Sequence, residues 1–260
     1  MEYLKYLVLI PFSLVYVVVS YALMGLGGIL FAVLKMFGVS HSLAHKWCAA
    51  RPMALCLRLT FSRIRVIYSP DFDPNRRSVF VQNHVSMLDG HAGAVALPHE
   101  FCGVMNAWHF NVPCYGWIMR TTLGIPLYPH KDGRTAEVTA AARNRVDRGL
   151  SILVFPEGHR TRDGKVKEFK RGMFFMARDA EIPMVPFAVR GLGEVNGKGS
   201  YLFKPGTITM YVGAQVETKG LSDEEVRELA LTMRDEIVHF VDTGEVFGSE
   251  HKPKAEALAA

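Results

Sequence analysis

The sequence predicts an α/β protein: a mixed sheet flanked by helices, preceded by a hydrophobic membrane helix or helix pair. Three observations carry that reading. Short runs rich in β-branched and aromatic residues recur between Ile64 and Val212, with helical spacing between several of them. An uncharged apolar run occupies Tyr6–Leu34 near the start of the chain. The 260 residues suit one domain plus an appendage.

The elements follow in chain order. The apolar run of about 29 residues would reach about 43 Å as a helix, enough to cross a bilayer core. It is too long for the core of a signal peptide, and Lys35-Met-Phe-Gly-Val after it offers no small-residue cleavage site. Gly25, Gly27 and Gly28 interrupt it, so a bend with a second helix re-entering the same leaflet is the alternative to a single crossing. Beyond it, His41, His45, Lys46, Arg51, Arg58, Arg63 and Arg65 interleave with Trp47, Leu55, Leu57, Leu59 and Phe61. That composition suits a headgroup-level helix, or an amphipathic helix packed on the domain. Only Glu2 and Lys5 precede the run, so the positive-inside rule assigns the rest of the chain to the cytoplasmic face of the membrane. Residues 1–60 are read as the anchoring segment, 61–247 as the α/β domain, and 248–260, polar and Ala-rich, as a disordered tail.

Strands are predicted at Ile64–Tyr68, Ser78–Gln82, Phe101–Met105, Ile125–Tyr128, Ser151–Phe155, Met184–Val189 and Thr207–Val212. Arg134–Arg148 is Ala-rich and closes at Gly149, a favoured residue just past a helix end. Met173–Ala180 is a shorter helix candidate. Ser222-Asp-Glu-Glu225 is a capping box opening a helix to about Val241, with Leu221 and Val226 placed to staple its entry.

Composition excludes several classes. With 49% hydrophobic and 21% charged residues the chain is neither disordered nor fibrous. Its 4 cysteines form no CxxC pair and no zinc spacing, and read as buried small hydrophobes in a reducing compartment. No metal site is read. The net charge of +5 is concentrated between Lys131 and Arg178, where basic residues outnumber acidic ones. That segment fits a solvated face, or a site for phosphate-bearing ligands and anionic headgroups. No nucleic-acid motif is present, and nucleic acid is not expected as a partner.

Two stretches carry chemistry. Asn83-His84-Val85-Ser86-Met87-Leu88-Asp89 follows a predicted strand, where open α/β sheets place their ligands. His84 on the turn can meet Asp89 if the Asp lies one turn into the next helix. The carboxylate then holds one imidazole nitrogen and leaves the other free as a base. A capping residue beside a surface carboxylate is the alternative. Phe155-Pro156-Glu157-Gly158-His159-Arg160-Thr161 also follows a strand. Gly158 allows close backbone approach, and Arg160 offers a fork for phosphate. No GxSxG elbow is present for a serine nucleophile.

Asn83–Asp89 resembles the NHxSxxD signature of glycerolipid acyltransferases. Phe155–Thr161 resembles the FPEGTRS signature of the same family, with His159 where Thr is usual and Thr161 where Ser is usual. Ile182–Phe187 resembles its later proline-bearing block. Order and spacing agree over about Ile64 to Val216. The resemblance implies transfer of a fatty acyl group from acyl-CoA or acyl carrier protein to a lysolipid hydroxyl, with no other cofactor. It implies His84 as general base, Asp89 as its orienter, and Asn83, Ser86, Glu157, Gly158 and Arg160 around the substrate. Backbone N–H groups after His84 are the candidate oxyanion donors. Membrane lipids and a lysophospholipid acceptor are the implied partners. The family's intermediate block, of the form G-x-x-x-x-x-Arg, has its best match at Gly124–His130, so His130 stands where an Arg is expected. Lys131 and Arg134 are close enough to substitute for that charge.

Overall fold

The computed structural model describes residues 2–128 and 135–247. His130, Lys131, Arg134 and the tail 248–260 lie outside the described residues. The strands are β1 Arg63–Tyr68, β2 Val79–Gln82, β3 Phe101–Asn106, β4 Ile125–Leu127, β5 Ser151–Val154, β6 Met184–Arg190 and β7 Thr207–Val212. They form one sheet in the order β1-β7-β6-β2-β5-β3-β4. Neighbours run parallel except β6 and β7, which are antiparallel, so the sheet is mixed. Each strand ends within one residue of its predicted position.

β2 and β5 are buried at every position and β6 at all but its last. Their Val, Ile, Leu and Phe side chains face helices on both sides, as continuous apolar strands of parallel sheets do. Burying each such side chain contributes about 1.5–3 kcal/mol. On one face, α9 (Asp223–Thr243), α6 (Thr135–Asp147) and α7 (Gly172–Asp179) pack through Val226, Met233, Ile237, Phe240, Ala142, Phe174 and Met176. The capping box at Ser222 and Glu225 opens α9 as predicted, and a short helix α8 (Leu192–Val195) follows β6. On the other face, α3 (Arg51–Arg58) and α4 (Asp89–Ala96) bring in Leu57 and Ala92.

α1 (Glu2–Met36) is one continuous helix, long and apolar enough to cross a membrane. The three glycines do not interrupt it. A Cβ on Gly27 would overlap the carbonyl oxygen of Cys48, and one on Gly28 would press to 3.3 Å from the Trp117 side chain. The glycines therefore form a contact surface, which offsets their cost of about 1 kcal/mol each in a helix. The reversal comes later, at residues 37–40, with Gly38 at φ +74°. α2 (His41–His45), a π-helical turn Lys46–Ala50 and α3 then return antiparallel to α1. Phe31 packs with Ala44, Met24 with Ala49 and Met53, and Tyr16 donates to the Cys56 carbonyl at 3.1 Å. The Tyr16 ring also lies tilted against Phe203 of the domain, centroids 4.2 Å apart, and Phe203 N–H donates to Ser13 Oγ at 2.9 Å. The outer side of α1 leaves Leu7, Val8, Leu14, Val15, Val18, Leu26, Ile29 and Leu30 exposed. α5 (Tyr115–Thr121), which the sequence reading did not predict, completes the cradle for α1. It begins after Cys114 at φ +60°, with no capping residue to announce it.

The cysteines are free, with Cys48, Cys56 and Cys102 buried and Cys114 half-buried.

Candidate active site

Register fixes the site. Val81 of β2 pairs with Val154 of β5 and with Pro186 of β6, all parallel. The C-terminal ends of β2 and β5 therefore lie side by side next to β6, which runs three residues further, and the segments after β2 and β5 emerge together.

Asp89 opens α4, rather than lying a turn inside it, because residues 84–88 form a tight turn. Its Oδ2 accepts from His84 Nδ1 at 2.6 Å, from Val85 N–H at 2.8 Å and from Ser86 N–H at 2.9 Å. The carboxylate is buried, whereas the His84 side chain keeps 23% exposure. An Asp acceptor on Nδ1 places the proton there and leaves Nε2 with its lone pair. The His84 ring stacks on Phe155 at 4.3 Å and 22°, which fixes its plane.

The second turn grips the first. Glu157 Oε1 accepts from His84 N–H at 2.7 Å and Oε2 accepts from Lys167 N–H at 3.0 Å. Thr161 N–H donates to the His84 carbonyl at 2.9 Å. Both backbone groups of His84 are thus held by the 155–161 segment. Burial pushes the Glu157 carboxyl above its ordinary value, and the two backbone donors pull it back. Gly158 sits at φ +75°, and a Cβ there would lie 2.8 Å from Lys170 Nζ, so only glycine fits without strain.

Asn83 and Ser86 turn inward. Asn83 is fully buried, donating to the Val189 carbonyl at 2.9 Å and accepting from Val189 N–H at 2.8 Å. Ser86 Oγ accepts from Leu88 N–H at 3.1 Å. These two residues build the turn through those hydrogen bonds. The Val85 and Ser86 N–H groups, candidate oxyanion donors by sequence, both donate to Asp89 Oδ2. Gly124 sits at the exit of α5, its N–H on the Met119 carbonyl at 2.8 Å, and leads into β4. Arg160 is half-buried beside the site. Phe155 and Lys198, whose Nζ donates to the Arg160 carbonyl at 2.9 Å, were not predicted as site residues. Phe155 was visible in its motif, whereas Lys198 lies in a Gly-rich loop with no local signal.

A family model described as Acyltransferase matches residues 63–190. The 1-acyl-sn-glycerol-3-phosphate acyltransferase BAT2, chloroplastic, of Brassica napus is 30% identical over 122 residues, 47% of this chain and 35% of that one. The putative 1-acyl-sn-glycerol-3-phosphate acyltransferase acl-2 of Caenorhabditis elegans is 32% identical over 161 residues, 61% of this chain and 57% of that one. The match spans about a third to just over half the length of these curated relatives. The crystal structure of the 1-acyl-sn-glycerophosphate (LPA) acyltransferase, PlsC, from Thermotoga maritima superposes with a TM-score of 0.77 at 21% identity, covering 96% of this chain and 100% of that one. At that identity the likeness is one of fold.

Mixed sheet, docked apolar helix and paired turns define the class: an α/β domain of PlsC-like fold with one long apolar N-terminal helix. The chain belongs to the acyltransferase family, and its relatives are named 1-acyl-sn-glycerol-3-phosphate acyltransferases.

Proposed function

We propose that the protein transfers a fatty acyl group from acyl-CoA or acyl carrier protein to the free hydroxyl of 1-acylglycerol-3-phosphate, giving phosphatidic acid. The observation that carries this reading is the 2.6 Å contact between His84 Nδ1 and Asp89 Oδ2 beside the 155–161 turn. In this reading His84 Nε2 takes the acceptor's hydroxyl proton. The oxygen forms a bond to the thioester carbon, the carbon–sulfur bond breaks, and the departing thiolate takes the proton back from His84. No covalent enzyme intermediate is involved. Arg160 pairs with the acceptor phosphate, assisted by Lys131 and Arg134, while Glu157 and Gly158 shape the turn that carries Arg160.

Residues 1–60 serve as the anchor and 61–247 as the acyltransferase domain. α1 packs along the domain from Ser13, against Phe203, to Gly28, against Trp117, so a perpendicular crossing would pull the sheet into the bilayer. An embedded α1–α3 pair, with its exposed apolar side in one leaflet and the domain on the cytoplasmic face, fits the packing better.

A second reading, acylation of a different lysolipid, is favoured by His130 at the position of the family's usual Arg. Acyl transfer by the purified protein in mixed micelles tests both. It would compare lysophosphatidate with zwitterionic and uncharged lysolipids, against both donors, with His84→Ala as control. The His84→Ala rate should fall by about 10²–10⁴-fold. Undiminished transfer by that variant sinks the catalytic assignment. Transfer to another lysolipid with lysophosphatidate inert replaces the first reading with the second.

A further inference from the structure

A pocket of about 440 Å³ opens between the start of α1 and the chain that follows β6. Tyr6 and Leu9 of α1 form one wall, and Glu194, Lys198, Ser200 and Lys204 supply the polar groups of the other. Two cations beside an apolar helix make it amphipathic. Lys198 is half-buried and Lys204 exposed. Lys198 Nζ donates to the Arg160 carbonyl at 2.9 Å. An ammonium has three donors, so two remain for a ligand.

That carbonyl and the Thr161 N–H belong to one peptide unit, and the Thr161 N–H donates to the His84 carbonyl at 2.9 Å. Lys198 and the His84 backbone thus hold opposite edges of a single planar group. Peptide dimensions put the ammonium within about 8 Å of the His84 carbonyl. Glu194 is the pocket's acidic group, and its carboxylate opposes an anion.

We propose that this pocket binds the phosphate of a membrane lipid headgroup. Lys198 and Lys204 meet the phosphate, and Tyr6 and Leu9 meet the apolar body of the lipid. A soluble phosphate would satisfy the lysines alike, but it leaves the apolar wall without a use. The site is independent of which hydroxyl is acylated, because it needs neither Nε2 of His84 nor the Arg160 guanidinium.

Flotation of the purified full chain with phosphatidylcholine vesicles, with and without phosphatidate, tests the proposal. Wild-type protein should prefer the phosphatidate vesicles. Lys198→Ala and Lys204→Ala should each remove about fivefold of that preference. Attachment to pure phosphatidylcholine, which rests on α1, should persist. Glu194→Gln should raise the preference, an effect that misfolding cannot produce. If inorganic phosphate cancels the lysine-dependent part, and chloride of equal ionic strength does not, the ligand is a soluble phosphate and the lipid assignment is overturned. A double lysine variant with wild-type preference overturns the site itself.

Discussion

Glu157 lies beneath His84, its carboxylate 2.7 Å from the His84 backbone N–H, although 73 residues separate them. The contact joins the two motif turns of the chain. It holds the backbone of His84, while Asp89 holds the ring. Neither oxygen of Glu157 is left over, since the second accepts from Lys167 N–H.

Glu157→Gln should therefore loosen His84. The amide keeps one acceptor and sets an N–H against the other backbone donor. Loss of a charge-assisted hydrogen bond costs about 1.5–3 kcal/mol, so kcat is expected to fall by about 10–100-fold. Steady-state kinetics at saturating acceptor checks this, and an unchanged kcat would show that the grip on His84 is dispensable.

Asp89→Asn should do more damage than Glu157→Gln. One oxygen of Asp89 gathers three donors, and in the proposed reaction its negative charge beside Nδ1 would stabilise the imidazolium. A fall in kcat of about 10²–10⁴-fold is expected. Circular dichroism of the variant separates this from loss of the turn itself.

Gly27→Leu should part α1 from the segment after it. The new side chain would collide with the Cys48 backbone, and overpacking of this kind costs about 1–3 kcal/mol. Thermal unfolding in detergent should shift downward, and the buried Cys48 thiol should label faster.

Acid should weaken the fold through His91. Burial lowers its pKa from 6.5 to about 4. The unfolded chain takes up the proton as pH falls through 6.5, whereas the folded protein takes it up only near 4. Stability is thus lost across that interval, by up to about 3 kcal/mol, and is unaffected by this group above it. Denaturant titrations at pH 7 and pH 5 should differ more for wild type than for His91→Gln.

The sequence by itself determined the elements and the chemistry-bearing turns. Strand runs, the α9 capping box and the Gly149 helix end are local patterns, set by side-chain period and backbone preference within a few residues. The pairing of His84 with Asp89 was legible too, because five residues of turn leave the two side chains few places to go. The tertiary structure alone decided the rest. Asn83 reaches Val189 across 106 residues, and Lys198 reaches Arg160 across 38, because β2, β5 and β6 lie side by side. Strand adjacency is a non-local choice, made by burial of whole faces, and no short window encodes it. The glycines of α1 show the same limit. Their spacing reads as a break in the helix, and only the approach of the Cys48 backbone reveals them as a contact surface.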